Sequence, residues 1–298
     1  MVLNKAGKKL YISAPRAALP LLFLALSSMP SLCPAQEAAA VLSRGSGLYF
    51  HTFLSFQKAL GRPITAFDLS KEKPQLPRDL KAVVAFGSKA ANFDYPAKIK
   101  VIYLLAPGYT AAGPKGTFTR ISSRPDPALA IDAYLKLQPG LKRLAVFFKE
   151  PARETYLSEL VAAAELRGVA IVPVGLTSAA EMPDQLRTLS GKADAIWLLP
   201  DPALITKVSL QVLAQFSCSN KVPYYAPSGG LADLGAAGAV APDLNEIGNT
   251  AASALQQILS GKTQPGTIYL KSAETTINPE FINRCGLQIK LPSGKGAE

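Results

Sequence analysis

The segment "DAIWLLPDPALITKVSLQVLAQF" spans residues 194–216. Ala195–Leu199 is an unbroken apolar run, short enough to be one strand buried on both faces. It stops at Pro200-Asp201-Pro202, and a helix-like pattern starts at once. Asp201 is a good N-cap and Pro202 a good first helical residue, so the spacing predicts a helix from Pro202. A buried strand that turns directly into a helix is the repeating unit of a parallel sheet covered on both sides.

The same unit recurs on either side. "RLAVFF" (143–148) precedes a helix expected over 153–167 and closed by Gly168. "VAIVPV" (169–174) precedes a helix near 179–189, and "VPYYAP" (222–227) precedes a Gly-rich turn. Nearer the N-terminus, "AAAVLS" (38–43) reads as a strand and "YFHTFLSFQKAL" (49–60) as a helix ended by Gly61 and Pro63. "ITAFDL" (64–69), "AVVAFG" (82–87) and "VIYLLA" (101–106) read as further strands. Two series of this kind predict two α/β lobes. Between them lie "APGYTAAGPKG" (106–116), whose Gly and Pro forbid regular structure, and the polar stretch "TFTRISSRPDP" (117–127). Past the second series, "GAVAPDLNEIGNTAASALQQILSG" (238–261) predicts a short extended run and a helix capped by Gly261. "TIYLKS" (267–272) predicts a strand, and "NPEFINRCGL" (278–287) a last helix with Asn278 as N-cap and Pro279 at its first position.

Residues 1–35 have another character. Lys5, Lys8, Lys9 and Arg16 precede an apolar run, Ala17–Leu32, and Cys33 and Ala35 supply small residues before Gln36. That order matches a secretory signal with a mature chain starting at Gln36, so the expected location is periplasmic or extracellular. Lipid anchoring through Cys33 is the less favoured alternative, because Leu32 is bulky where that peptidase prefers a small residue. Losing the four cations would take the formal charge from +11 to about +7. The remaining Lys and Arg are scattered among acids, which argues for a solvated surface and against a nucleic-acid partner. No Cys-x-x-Cys or Cys/His cluster occurs, so no metal or cofactor is expected. Cys218 and Cys285 are left as a pair whose bridging the sequence leaves open. The single histidine, His51, and the lack of G-x-S-x-G or H-E-x-x-H leave no catalytic constellation.

In open α/β sheets ligands sit beyond the C-terminal strand ends, near helix N-termini. The residues there are therefore the candidates. "SRGSGLY" (43–49) offers Ser46, Gly47 and Tyr49, and "GSKAAN" (87–92) offers Ser88 as the cap of a short helix. "KEPARETY" (149–156) offers Glu150, Thr155 and Tyr156, the corner offers Asp201, and "APSGGLADLG" (226–235) offers Ser228. Each is explained equally well as turn or cap chemistry. Tyr49, Tyr109 and Tyr225 are candidates for packing on an apolar ligand. Trp197 and Tyr224 lie within strands and are expected in the core.

The order "LKRLAVFF" (141–148), the block 163–205 from "AAELRGVAIVPVG" to "LLPDPALI", "KVPYYAPSGGLADLGAAGAV" (221–240), "NEIGNTAASALQQILSGKTQPG" (245–266) and "INPEFINRCGL" (277–287) resembles the substrate-binding proteins of ABC transporters of the tryptophan/tyrosine-binding (TrpX-like) type. The resemblance is good from about Leu141 onward and is one of layout before it. It implies a type I periplasmic binding protein fold: two doubly wound parallel-sheet lobes joined by three crossing strands, with ligand held between them. The crossings would fall near Thr119–Ser122, Ala239–Pro242 and Thr267–Leu270. Residues 36–121 with 243–265 would form lobe 1, and 122–242 with 266–298 lobe 2. The resemblance further implies a monomer that captures a small organic ligand, amino-acid-like compounds among the candidates, and delivers it to an ABC permease. It implies that Ser88 and Ser228 meet the ligand and that Asp201 lines the cleft, where it can accept a bond from a ligand ammonium. A ligand sensor for a membrane partner and a secreted small-substrate enzyme are the alternatives.

Overall fold

The computed structural model describes residues 37–107, 109, 117–150, 155–262 and 266–290. The expected signal segment and Cys33 lie outside the described residues, as does most of the 106–116 loop.

The first sheet starts with β1 (Ala38–Leu42), which pairs in parallel with β2 (Thr65–Asp68) and β3 (Ala82–Phe86). β4 (Lys100–Leu104), β5 (Phe118–Ile121) and β11 (Thr267–Ile268) extend it in the order β11-β5-β4-β3-β1-β2, all parallel. β1 and β3 are buried at every position. Their side chains alternate between two cores, as a strand's period of two requires. Ala38, Ala40, Leu42, Val84 and Phe86 face α1 (Gly47–Leu60) and α8 (Leu244–Leu259), whereas Ala39, Val41, Val83 and Ala85 face the other side with α2 (Ser88–Ala91). Phe53 and Phe56 of α1 meet Phe86 edge-on at 5.8 and 5.7 Å. Burying such a ring contributes roughly 1.5–3 kcal/mol.

The second sheet repeats the plan. β6 (Arg143–Lys149) pairs with β7 (Ala170–Leu176) and β8 (Ala195–Leu198), and β9 (Tyr224–Ala226), β10 (Gly238–Ala241) and β12 (Glu274–Ile277) complete the order β12-β10-β9-β8-β6-β7. Only the edge strand β12 runs antiparallel. One face carries α3 (Pro127–Leu137) and α4 (Tyr156–Glu165) over Leu144, Val146, Trp197 and Tyr225. The other carries α5 (Met182–Thr188) and α6 (Lys207–Asn220) over Ala145, Phe147, Ile196 and Tyr224. Trp197 and Tyr224 are core residues, each 1% exposed.

Three segments pass between the sheets: 122–126 from β5 to α3, 242–243 from β10 to α8, and 269–273 from β11 to β12. α8 follows a strand of the second sheet yet packs on α1 of the first. The expected strand over 267–272 is only two residues long, Thr267–Ile268, and the chain then crosses to the second sheet, where β12 starts at Glu274. α9 (Pro279–Cys285) starts as expected, with the Asn278 side chain accepting the Phe281 N–H at 3.0 Å. Cys285 in α9 is bridged to Cys218 near the end of α6, with Cα atoms 4.5 Å apart.

The opening segment needs one correction. No helix starts at Pro202. Residues 202–204 form a turn, and α6 starts at Lys207, with Thr206 as its N-cap. The Thr206 hydroxyl accepts the Ser209 N–H at 3.0 Å, and the Ser209 hydroxyl accepts the Thr206 N–H at 2.9 Å. This reciprocal pair satisfies two of the N–H groups a helix start leaves open. The reach of Leu204 into the core, where it is 0% exposed, holds the turn down and delays the helix by five residues.

Candidate functional site

The C-terminal strand ends of the first sheet gather Ser46, Gly47, Tyr49, Ser88 and Tyr109. Ser46 sits at the N-cap position of α1, but its hydroxyl makes no cap bond. It is exposed, as is Gly47, whose φ of +62° suits glycine. The preceding turn is ordered from beside it. Asp68, at the end of β2, accepts the Ser70 N–H and hydroxyl at 2.9 and 2.7 Å. These bonds, the hydroxyl foremost, hold its carboxyl below the usual range. A Cβ on Gly45 would stand 2.6 Å from that carboxylate, which would have to shift to admit a side chain there.

Ser88 needs a correction. It is the first residue of α2, not its cap, and Gly87 occupies the N-cap position at φ +91°. The hydroxyl that satisfies the start of α2 belongs to Ser43, which accepts the Ala90 N–H at 2.9 Å. Gly87 lies flat against the Ser43 hydroxyl and the Tyr49 ring, where a Cβ would come within 2.6 and 2.7 Å. Ser43, Tyr49, Gly87 and Ser88 are thus one packed unit joining two strand-to-helix turns, and Ser88 is left half-buried on its rim. Beside it opens a cavity of about 1100 Å³, bordered by Ser70, Lys71, Lys73, Ser88, Lys89 and Tyr109. Lys89 donates to the Leu69 carbonyl at 2.7 Å, closing one wall. Tyr109 stands edge-on to Tyr103 at 5.2 Å, and burial pushes its phenol up.

The second sheet presents Glu150, Thr155, Asp201 and Ser228 at its own C-terminal edge. Glu150 is exposed and lies over Gly175, where any side chain would collide with its carboxylate. Thr155 donates from its hydroxyl to Glu159 at 2.7 Å. Asp201 accepts the Ala203 N–H at 2.8 Å, and its carbonyl accepts from Leu204 and Ile205 at 3.0 and 3.1 Å. It caps a turn, and one carboxylate oxygen is left for a second donor. Ser228 precedes the single turn α7 (Gly229–Ala232), half-exposed, without a cap bond from its side chain.

Two tyrosines are placed inside. Tyr156 is 1% exposed, its hydroxyl donating to the Pro125 carbonyl at 3.0 Å and its ring 5.1 Å beneath the Arg124 guanidinium. Burial holds its phenol well above the usual value, against the opposing charge of Arg124. Tyr225, expected as a ligand-packing ring, is 0% exposed and packed against Tyr134, ring centroids 4.6 Å apart and tilted by 40°, because it points into the face covered by α3 and α4. It is a core residue. Sequence reasoning also passed over Ser43, Lys89, Glu159 and Tyr269. The Tyr269 hydroxyl donates to Glu159 at 2.5 Å and so ties a crossing segment to α4. No local pattern marks that contact, since its partners are 110 residues apart.

Among the described residues no group of three or more His, Cys, Asp or Glu is placed to hold a metal, and no helix is long and apolar enough to cross a membrane.

A family model described as ABC transporter substrate binding protein matches residues 119–291. Among solved structures, the chain is similar to an ABC domain in complex with L-Trp from Streptococcus pneumonia, at 16% identity and a TM-score of 0.58, covering 86% of this chain and 95% of that one. It is similar to the ligand-free, open form of a substrate-binding protein with adhesive properties from Clostridium difficile, at 17% identity and a TM-score of 0.59, covering 87% and 97%. A conserved domain protein from Vibrio cholerae follows at 16% identity and 0.57, covering 85% and 95%. No curated protein sequence matches the chain.

Proposed function

The chain belongs to the ABC transporter substrate-binding protein family, and from that premise we propose that it captures a small organic solute between its two lobes and delivers it, unchanged, to an ABC permease. The fold is the two-lobed, doubly wound type I periplasmic binding protein fold. The observation that carries the reading is that two mostly parallel sheets, each with its own covering helices, are joined by three crossing segments. Such a build lets the lobes turn toward each other, and a solute touching both edges favours the closed form by the contacts that only that form makes.

Ser46, Gly47, Tyr49, Ser88 and Tyr109 are the proposed contacts on lobe 1, and Glu150, Thr155, Asp201 and Ser228 those on lobe 2. Tyr156 serves from beneath by holding the first crossing. Asp201 takes a ligand ammonium on its spare oxygen. The neighbour from Streptococcus pneumonia carries L-Trp, which makes aromatic amino acids the first compounds to try. The proposed lobe limits are those expected from the sequence, except that Thr267–Ile268 go to lobe 1 because β11 pairs with β5. Export, with a mature chain from Gln36 acting as a monomer, belongs to the same proposal, and intact mass of exported material tests its start.

The deciding experiment is mass spectrometry of whatever small molecule is released when protein purified from its exported location is denatured. The recovered compound is then titrated calorimetrically into refolded protein. Saturable 1:1 binding without change in the compound is expected. Steady conversion of the compound would replace the reading with an enzymatic one, and recovery of nothing that rebinds would remove its basis.

A further inference from the structure

The third crossing, residues 269–273, is gripped from both sides by glutamates. In α4 of lobe 2, Glu159 accepts the Tyr269 hydroxyl at 2.5 Å through one oxygen and the Thr155 hydroxyl at 2.7 Å through the other. In the first turn of α8, packed in lobe 1, Glu246 accepts the Lys271 N–H at 3.1 Å and the Ser272 hydroxyl through its second oxygen. Three residues of one short stretch, Tyr269, Lys271 and Ser272, are therefore bound to two elements that belong to different lobes.

α4 also holds the first crossing. Tyr156 and Glu159 are three residues apart and share a helix face. Tyr156 bonds the Pro125 carbonyl and lies under Arg124, while Glu159 takes Tyr269, whose ring is 6.0 Å from that of Tyr156. The first crossing is tied to the end of β11, from which the third crossing leaves, by the Ser122 N–H donating to the Ile268 carbonyl at 2.9 Å. When one lobe turns against the other, α4 travels with lobe 2 and α8 with lobe 1. A hydrogen bond weakens steeply once its distance and angle leave a narrow range, so residues 269–272 cannot stay bonded to both.

Resting on the proposed lobe closure, we infer that Glu159 and Glu246 are opposed latches on the third crossing that hold the ligand-free protein in one lobe arrangement. They act through Tyr269, Lys271 and Ser272 and so are positioning residues, not ligand contacts. Both carboxylates are reachable by water, so each latch is weak enough to release on ligand binding and strong enough to bias the resting population.

The test needs no ligand. Spin labels at exposed Lys58 of α1 and Lys192 beyond α5 report the distance between lobes in the ligand-free full chain by pulsed electron resonance. Tyr269→Phe removes the donor to Glu159 and keeps the ring, and Ser272→Ala, at an exposed site, removes the hydroxyl donor to Glu246 and leaves the Lys271 N–H. Releasing a net hydrogen bond of ordinary strength should change the ratio of lobe arrangements roughly two- to tenfold, seen as a shifted or broadened distance distribution at unchanged helix content. A change in either variant supports the latch. Distributions that match the wild type in both variants overturn it, and they leave solute capture to be judged separately by the recovered-ligand experiment.

Discussion

Asp201 shows how far a single residue can be read from sequence. Its acid at the end of a buried strand was legible, and so was its capping role, although what it caps is a turn. Its helix was not, because five residues of turn intervene where Leu204 seeks the core. Asp201→Asn separates its two roles. Asn can accept the Ala203 N–H as Asp does, so stability of the ligand-free protein should stay within about 0.5 kcal/mol. If the spare oxygen meets a ligand ammonium, affinity for the recovered solute should fall by roughly 1.5–3 kcal/mol, ten- to a hundredfold or more; unchanged calorimetric affinity would remove Asp201 from the site. Asp194 gives the opposite case, an acid with a structural task. It accepts the Lys142 and Arg143 N–H groups at 3.0 and 2.7 Å and the Arg143 guanidinium at 2.7 Å, stitching the start of β6 to the start of β8. Burial pushes its carboxyl up, but these bonds outweigh it and the net shift is downward. A group depressed in the folded state stabilises fully above its unfolded value, near 3.9, and loses that contribution as pH falls through the folded value. Asp194→Asn should therefore cost roughly 1–3 kcal/mol near neutral pH. The gap between variant and wild type in urea melts should close below about pH 4, and a gap constant with pH would count against the charge.

At the scale of elements, most strands and helices were legible because each buried strand is a short apolar run and each helix keeps a 3.6 period. What failed was local. The run 267–272 reads as one strand, yet the chain leaves the first sheet after Ile268 and joins the second only at Glu274, a switch set by partners distant in sequence. Ser88 and Ser43 exchanged roles for the same reason: the hydroxyl that caps α2 comes from a neighbouring strand. One close contact between helices was also invisible. Gly248 of α8 lies against the backbone of α1, where an added Cβ would come within 2.7 Å of both the Phe56 nitrogen and the Thr52 carbonyl oxygen. Backbone atoms inside a helix cannot step aside cheaply, so Gly248→Ala should destabilise by roughly 1–3 kcal/mol despite alanine's better helix propensity. A thermal melt decides it. A variant as stable as the wild type would mean that α8 shifts along α1 at no cost.

At the scale of the whole molecule, two lobes could be predicted from two series of strands, but the way they are held together could not. Pairing of Cys218 with Cys285 is an example, since sequence cannot say whether two Cβ atoms meet. The bridge joins the end of α6 to α9 and closes a loop of 67 residues that includes α8 and β11, the elements the first lobe takes from this part of the chain. In the chain-entropy account a loop of that size stabilises by up to about 4 kcal/mol, with about 2–4 typical of measured bridges. For a chain of this size that is roughly 5–15 °C in Tm. Neither cysteine lies at the C-terminal strand edges, where the proposed contacts gather, and neither touches the crossings. Cys218→Ser with Cys285→Ser should therefore lower Tm by that amount while affinity for the recovered solute, measured where both forms are folded, stays within about twofold. A variant that melts like the wild type would show that the bridge constrains little of the unfolded chain. Affinity lost in step with stability would mean that the second lobe transmits strain from α9 to its ligand edge, and the division of labour between a rigid lobe and a moving hinge would not hold.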